Sequence, residues 1–156
     1  MIYKFLSGKF YQEYPCSLFP EIEQKPDRPY VIVCIVVNQH EFALPLRSHI
    51  NHKFAFFTDK QNWCGVDFSK AIYISDLSYI DNNQRPFIRQ NEFSALIGKE
   101  YIVKQKFLKY VSEYVNAKKS GDKNKLQAFR FSTLPYFENK INYEYDILNS
   151  KQMSFS

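Results

Sequence analysis

Tyr30-Val31-Ile32-Val33-Cys34-Ile35-Val36-Val37 is almost wholly apolar and rich in β-branched side chains. Such a run suits a pleated, doubly covered strand far better than a helix, so it predicts a buried strand at the centre of a sheet. Asn38-Gln39 predicts the turn that returns the chain through a partner strand ending at Leu46. Directly after that hairpin comes Arg47-Ser48-His49-Ile50-Asn51-His52-Lys53, which holds two of the chain's three histidines. A rigid hairpin that delivers a basic, hydroxyl-bearing loop is a common way to build a site.

Outward from the hairpin, Ile2 to Leu6 predicts a strand. The connection through Pro29 carries Pro15, Pro20, Pro26 and Pro29, which exclude a long helix and leave room for one helical turn. Phe54 to Thr58 predicts a strand, Asp59 to Gly65 a turn, and Ala71 to Ile74 another strand. The period then changes. From Asn91 to about Lys118, Phe93, Leu96, Ile97, Tyr101, Val103, Phe107, Leu108, Val111, Tyr114 and Val115 recur on one side at 100° per residue. That pattern predicts one long amphipathic helix, with Asn91 as its N-cap and a Glu100–Lys104 ion pair at its edge. Ser120-Gly121-Asp122 ends or kinks it, and Lys123 to Phe129 predicts a further short helix. Residues from about 138 to 156 lose all periodicity and read as a tail. The expected fold is α+β: a compact, strongly twisted antiparallel sheet or half-open barrel packed with a long amphipathic helix and shorter helices, in a single domain spanning 1–156.

Composition narrows the partners. A chain of 156 residues can bury a core without disulfide or metal staples. Its formal charge of +5 and the lysines of the second half favour a polyanion, against the competing reading of a lysine-rich solvated surface. Cys16, Cys34 and Cys64 are odd in number and form no Cys-x-x-Cys pair, which favours a reducing, cytoplasmic compartment. No apolar run approaches the roughly 20 residues needed to span a bilayer, and no secretory leader is expected. His49 and His52 stand at His-x-x-His spacing without evident co-ligands, so no metal or other cofactor is expected. Neither a Gly-rich phosphate loop nor a Gly-x-Ser-x-Gly elbow is present.

A Ser-His-Asp hydrolase needs a carboxylate to orient its imidazole, and the loop contains none, although a distant acid could supply it. Cations without clustered carboxylates suit a phosphate. In metal-independent RNA cleavage the substrate's 2′-hydroxyl attacks the adjacent phosphorus. The protein supplies a base, an acid for the departing 5′-oxygen, and donors for the phosphorane charge. Histidine, lysine, arginine and serine fill these roles.

The stretch Arg28-Pro29-Tyr30 to Val37, followed by His40-Glu41-Phe42-Ala43-Leu44-Pro45-Leu46-Arg47-Ser48, resembles the core signature of the toxins of type III toxin–antitoxin systems, the ToxN/AbiQ/TenpN superfamily. Pro45 to Ile50 with His52-Lys53-Phe54-Ala55-Phe56 is most similar to the TenpN branch. Leu6-Ser7-Gly8-Lys9-Phe10-Tyr11, Gly65 to Ile72 and the Phe107 to Tyr114 helix also match. The resemblance implies a barrel like that of the MazF/Kid toxins. It also implies an endoribonuclease that leaves 2′,3′-cyclic phosphate and 5′-hydroxyl ends. Its inhibitor would be a repeated pseudoknot antitoxin RNA, held in a closed toxin–RNA assembly, and its substrates cellular or phage RNA. The family's active-site serine falls on Ser48, the position before it on Arg47, and a basic residue before the central strand on Arg28. The family often has Thr where Arg47 stands and a lysine after the serine that is missing here, so His49, His52 and Lys53 are the candidates for proton transfer or phosphate binding. Tyr11, with Lys9 beside it, matches an N-terminal region near the family's active site. Clustering assigns Lys118, Lys119, Lys123 and Lys125 to the antitoxin surface. A non-catalytic single-stranded-RNA-binding module is the alternative, and a plain protein-interaction domain a third.

Overall fold

The central hairpin is present in the computed structural model, which describes residues 1–35 and 40–141. Strand β2 (Tyr30–Ile35) pairs antiparallel with β3 (His40–Arg47), placing Val31 opposite Leu44 and Val33 opposite Phe42. The expected Asn38-Gln39 turn lies outside the described residues. On its other side β3 changes partner. Glu41 to Ala43 pair with β6 (Ile72–Ile74), whereas Leu46 and Arg47 pair with β5 (Cys64–Asp67). Pro45 sits at the changeover, where its missing N–H removes a ladder donor and lets the two neighbours diverge.

The remaining strands are β1 (Ile2–Leu6), β4 (Ala55–Asp59) and β7 (Ile80–Asp81). The antiparallel sheet runs β4-β5-β3-β2-β1-β7, with β6 off this path against β3, and it is not closed among the described residues. Helix α1 (Gly8–Glu13) is capped by Ser7, whose hydroxyl accepts from Phe10 N–H, and is the single turn that the proline-rich connection allowed.

The expected long helix is two helices. Helix α2 (Gln90–Leu96) and α3 (Glu100–Ser120) are separated at Gly98, which takes the left-handed φ of 71° that other residues rarely adopt. Asn91 lies inside α2, and Arg89 is the residue at its N-cap. The break rotates Phe93, Ile97 and Tyr101 to solvent, while Leu96, Val103, Phe107, Tyr110, Val111, Tyr114 and Val115 are buried. Phe107 packs on Phe42 at 5.2 Å and on Phe68 at 5.9 Å, so α3 closes the core against the sheet. Truncating so buried a ring typically costs about 3–5 kcal/mol. Glu100 faces the amino group of Met1 at 3.7 Å rather than Lys104.

Helix α3 ends where expected, with Gly121 at φ 67°, and Asp122 caps α4 (Lys123–Gln127). The segment read as a turn before Gly65 already contains the start of β5. The supposed tail begins with a helical turn over 138–141 that buries Ile141; residues 142–156 lie outside the described residues. No helix among the described residues is long and apolar enough to cross a membrane.

Candidate active site

The loop after β3 is pinned at both ends. Arg47 closes the strand against Gly65, and Ile50, 1% exposed, plugs the core while its N–H donates to the Trp63 carbonyl at 3.0 Å. Between these anchors Ser48 and His49 are exposed, and His49 is held at φ 57°. Among the described residues the only other positive-φ position that is not glycine is Trp63, also at 57°. A left-handed conformation costs such residues about 1–2 kcal/mol, and it falls here on the two residues flanking one loop contact.

Two carboxylates come to the loop from elsewhere in the chain. Asp67, wholly buried at the end of β5, accepts from Ser69 N–H at 2.9 Å and from the Ser69 hydroxyl at 2.7 Å. It also receives an Arg47 Nη1 donor and lies 3.3 Å from His52 Nε2. Glu23, from the proline-rich connection, takes Arg47 Nη2 at 2.5 Å and an Arg28 Nη1 donor. The result is a continuous string, Arg28–Glu23–Arg47–Asp67–His52. Burial alone would raise the Asp67 carboxyl; the bonds from His52, Ser69 and Arg47 outweigh it and hold the group below its ordinary value. Burial works against Glu23 in the same way, and the Arg28 and Arg47 charges bring it down.

These contacts redefine the candidates. Arg47 and Arg28 are neutralised by carboxylates, so each braces the loop rather than presenting a free charge; the acids missing from the loop's own sequence arrive through the fold. His52 Nδ1 accepts from Phe54 N–H at 3.1 Å, which places the proton on Nε2, the atom facing Asp67 and Ser69 Oγ at 3.2 Å. Ser69, His52 and Asp67 do not form a hydrolase triad. That device needs serine and carboxylate on opposite ring nitrogens, whereas here both meet Nε2, and the buried Ser69 hydroxyl is committed to Asp67.

Ser48, His49 and Lys53 remain on the open side. His49, Asn51, His52, Lys53, Lys60, Trp63 and Lys106 line a groove of about 770 Å³, together with Ile50, Ala55 and Phe57. No carboxylate stands among these lining residues. Lys53 and Lys106 rest 5.6 Å from the Phe54 and Phe56 rings respectively, so aromatic faces steady both cations. A smaller recess of about 340 Å³ joins Lys53 and Phe54 to Lys125 of α4, bringing part of the lysine cluster to the loop. Lys123 is also exposed on α4, Lys119 sits in the last turn of α3, and Lys118 pairs with Glu138 at 3.4 Å.

Tyr11 does lie near this string. Its hydroxyl donates to the Lys25 carbonyl at 3.0 Å and feels the charges of Arg28 and Glu23, and burial pushes it up to about 12. Lys9 is bound to Asp76 at 2.8 Å and Ser78 at 2.9 Å, which ties α1 to the turn before β7. Among the described residues no three His, Cys, Asp or Glu side chains converge as a metal set. Asp67, Glu23, Ser69, Lys60 and Trp63 carry no site assignment from the sequence, and Lys106 enters there only as one of the second-half lysines that favour a polyanion. Only Asp67 carries a local signal, the Asp-x-Ser pattern that caps the following turn.

No family model, curated protein or solved structure matches this chain.

Proposed function

We propose that this chain is a metal-independent endoribonuclease, the toxin of a type III toxin–antitoxin system, inhibited by a repeated antitoxin RNA. The observation that carries the reading is a pinned loop whose exposed His49, next to exposed Ser48, lines a groove with Lys53, Lys60 and Lys106 and with no acid among its lining residues. His49, exposed on the open side, takes the proton of the 2′-hydroxyl as it attacks phosphorus. The bond to the 5′-oxygen breaks, and an ammonium group, with Lys53 the nearest in sequence, returns a proton to it. Ser48 and the lysines hold the non-bridging oxygens as charge builds on them. Arg47, Arg28, Asp67 and His52 position the loop. The partner change of β3 suits a sheet that curls toward the half-open barrel of MazF/Kid-like toxins, and the Lys118 to Lys125 cluster, which reaches the loop at Lys125, offers the antitoxin a basic surface.

A second reading, a non-catalytic single-stranded-RNA-binding module, is favoured by one observation: neutralisation of Arg47 and Arg28 leaves the catalytic set smaller than the sequence suggests. Controlled expression separates the two. A toxin arrests growth, the arrest is relieved by the DNA upstream of the gene supplied in trans, and Ser48→Ala or His49→Ala abolishes it. Arrest that persists in both variants, or no arrest at all, removes the toxin reading.

A further inference from the structure

Trp63 stands where the chain's local rules would not put it. It ends the Lys60 to Trp63 turn at φ 57°, a conformation suited to glycine or asparagine, and leaves 51% of its surface exposed. The turn does not need the indole, because Asp59 already organises it by accepting from Asn62 N–H at 3.2 Å and from the Asn62 amide at 2.7 Å. The indole nonetheless has a fixed attitude: Phe57 meets it edge to face, with centroids 5.9 Å apart and planes at 77°. It also lines the groove that His49 heads, and its carbonyl holds the His49 loop through Ile50. Backbone strain and an exposed, braced aromatic thus coincide in one groove with Lys53, Lys60 and Lys106 around it.

We propose that Trp63 is a base-stacking platform, and that the groove binds a nucleotide of single-stranded RNA next to the linkage presented to Ser48 and His49. The proposal rests on reading the site as one for RNA. Lys53, Lys60 and Lys106 neutralise the flanking phosphates, and the indole face takes a base that is free of pairing; aromatic stacking is tolerant of sequence, so the subsite selects for single strands rather than for a particular base. A volume of about 770 Å³ matches the range of small-ligand clefts, about 300–1,000 Å³, and accommodates a nucleotide with its phosphate.

Trp63 is the only tryptophan in the chain, so its fluorescence reports on the groove without a label. Titration with a 2′-O-methyl RNA oligomer, which cannot be cleaved by 2′-hydroxyl attack, should quench the emission saturably. The same strand annealed into a duplex, or inorganic polyphosphate, should leave it nearly unchanged. Trp63→Ala should weaken binding of the single strand, followed by anisotropy of a labelled oligomer, by about 5- to 140-fold, while Trp63→Phe keeps most of the affinity. Binding without quenching, equal quenching by the duplex or polyphosphate, or unaltered affinity in Trp63→Ala would each overturn the platform. Cleavage by the native protein without quenching removes this inference and leaves the nuclease. Quenching without cleavage removes the nuclease and leaves the platform.

Discussion

Replacing Asp67 by Asn tests whether the buried charge string holds the loop. Asp67 is wholly buried and accepts from Ser69, Arg47 and His52 together. An Asn at 67 keeps one acceptor oxygen but turns an N–H₂ toward donors, and it leaves the half-buried Arg47 with Glu23 alone. Breaking a buried pair from one side costs about 3–5 kcal/mol, which for a chain of this size lowers the melting temperature by about 6–20 °C. The pH dependence has a definite sign. Because folding holds the Asp67 carboxyl below its ordinary value of 3.8, the unfolded chain takes up the proton first as pH falls. The stabilisation is therefore fully present above the unfolded value and is lost as pH drops through the lower, folded one. Thermal melts of both proteins from about pH 7 to about pH 2.5 should show a lower plateau and a shallower acid decline for Asp67→Asn. Arg47→Met should also cost less in that background than in the native chain, by about 0.5–3 kcal/mol. A variant that melts within about 2 °C of the native protein at neutral pH, with the same acid decline, would refute a structural role for the string.

His49 and His52 should separate cleanly: His49→Gly relieves the left-handed strain and keeps or raises the melting temperature while slowing cleavage about 100-fold or more, whereas His52→Ala costs about 1–3 kcal/mol by stranding Phe54 N–H and an Asp67 lone pair. Equal losses of stability in the two would merge their roles. A Cβ at Gly65 would meet the Phe56 carbonyl oxygen and stand 2.8 Å from Phe57 Cα, so Gly65→Ala should destabilise by at least about 1–3 kcal/mol in urea unfolding; no change would mean that β4 and β5 are spaced otherwise. Replacing Lys118, Lys119 and Lys123 together by Gln, with Lys125 beside Lys53 left in place, should flatten the log–log salt slope of antitoxin binding by about 0.7 for each single-stranded phosphate no longer neutralised, while sparing cleavage of free substrate. An unchanged slope assigns those lysines to solvent.

The sheet's centre was legible because Tyr30 to Ile35 carries a β-branched run that few other structures tolerate, and β1 and the end of α3 at Gly121 carried similarly local signals. Gly98 was not read as a boundary because the apolar period runs straight through it. A single glycine inside a helix costs only about 1 kcal/mol, too little to outweigh a continuing stripe. The loop's chemistry was half legible. Its histidines, serine and lysine stand together in the sequence, but the partners that decide their roles are Glu23 and Asp67, which reach the loop only through the β3–β5 pairing and the folded proline-rich connection. Trp63 was invisible for a different reason. It lies within the turn expected over Asp59 to Gly65, and only the fold places it in the lining of a basic groove.

The most direct measurement is the chemistry of the ends. Purified protein incubated with a long RNA in excess EDTA should cut it and leave 5′-hydroxyl and 2′,3′-cyclic phosphate termini, with His49→Ala silent under the same conditions. Products with 5′-phosphates, activity that disappears in EDTA and returns with added divalent metal, or RNA left intact by a folded protein that binds it, would contradict cleavage by 2′-hydroxyl attack at this loop.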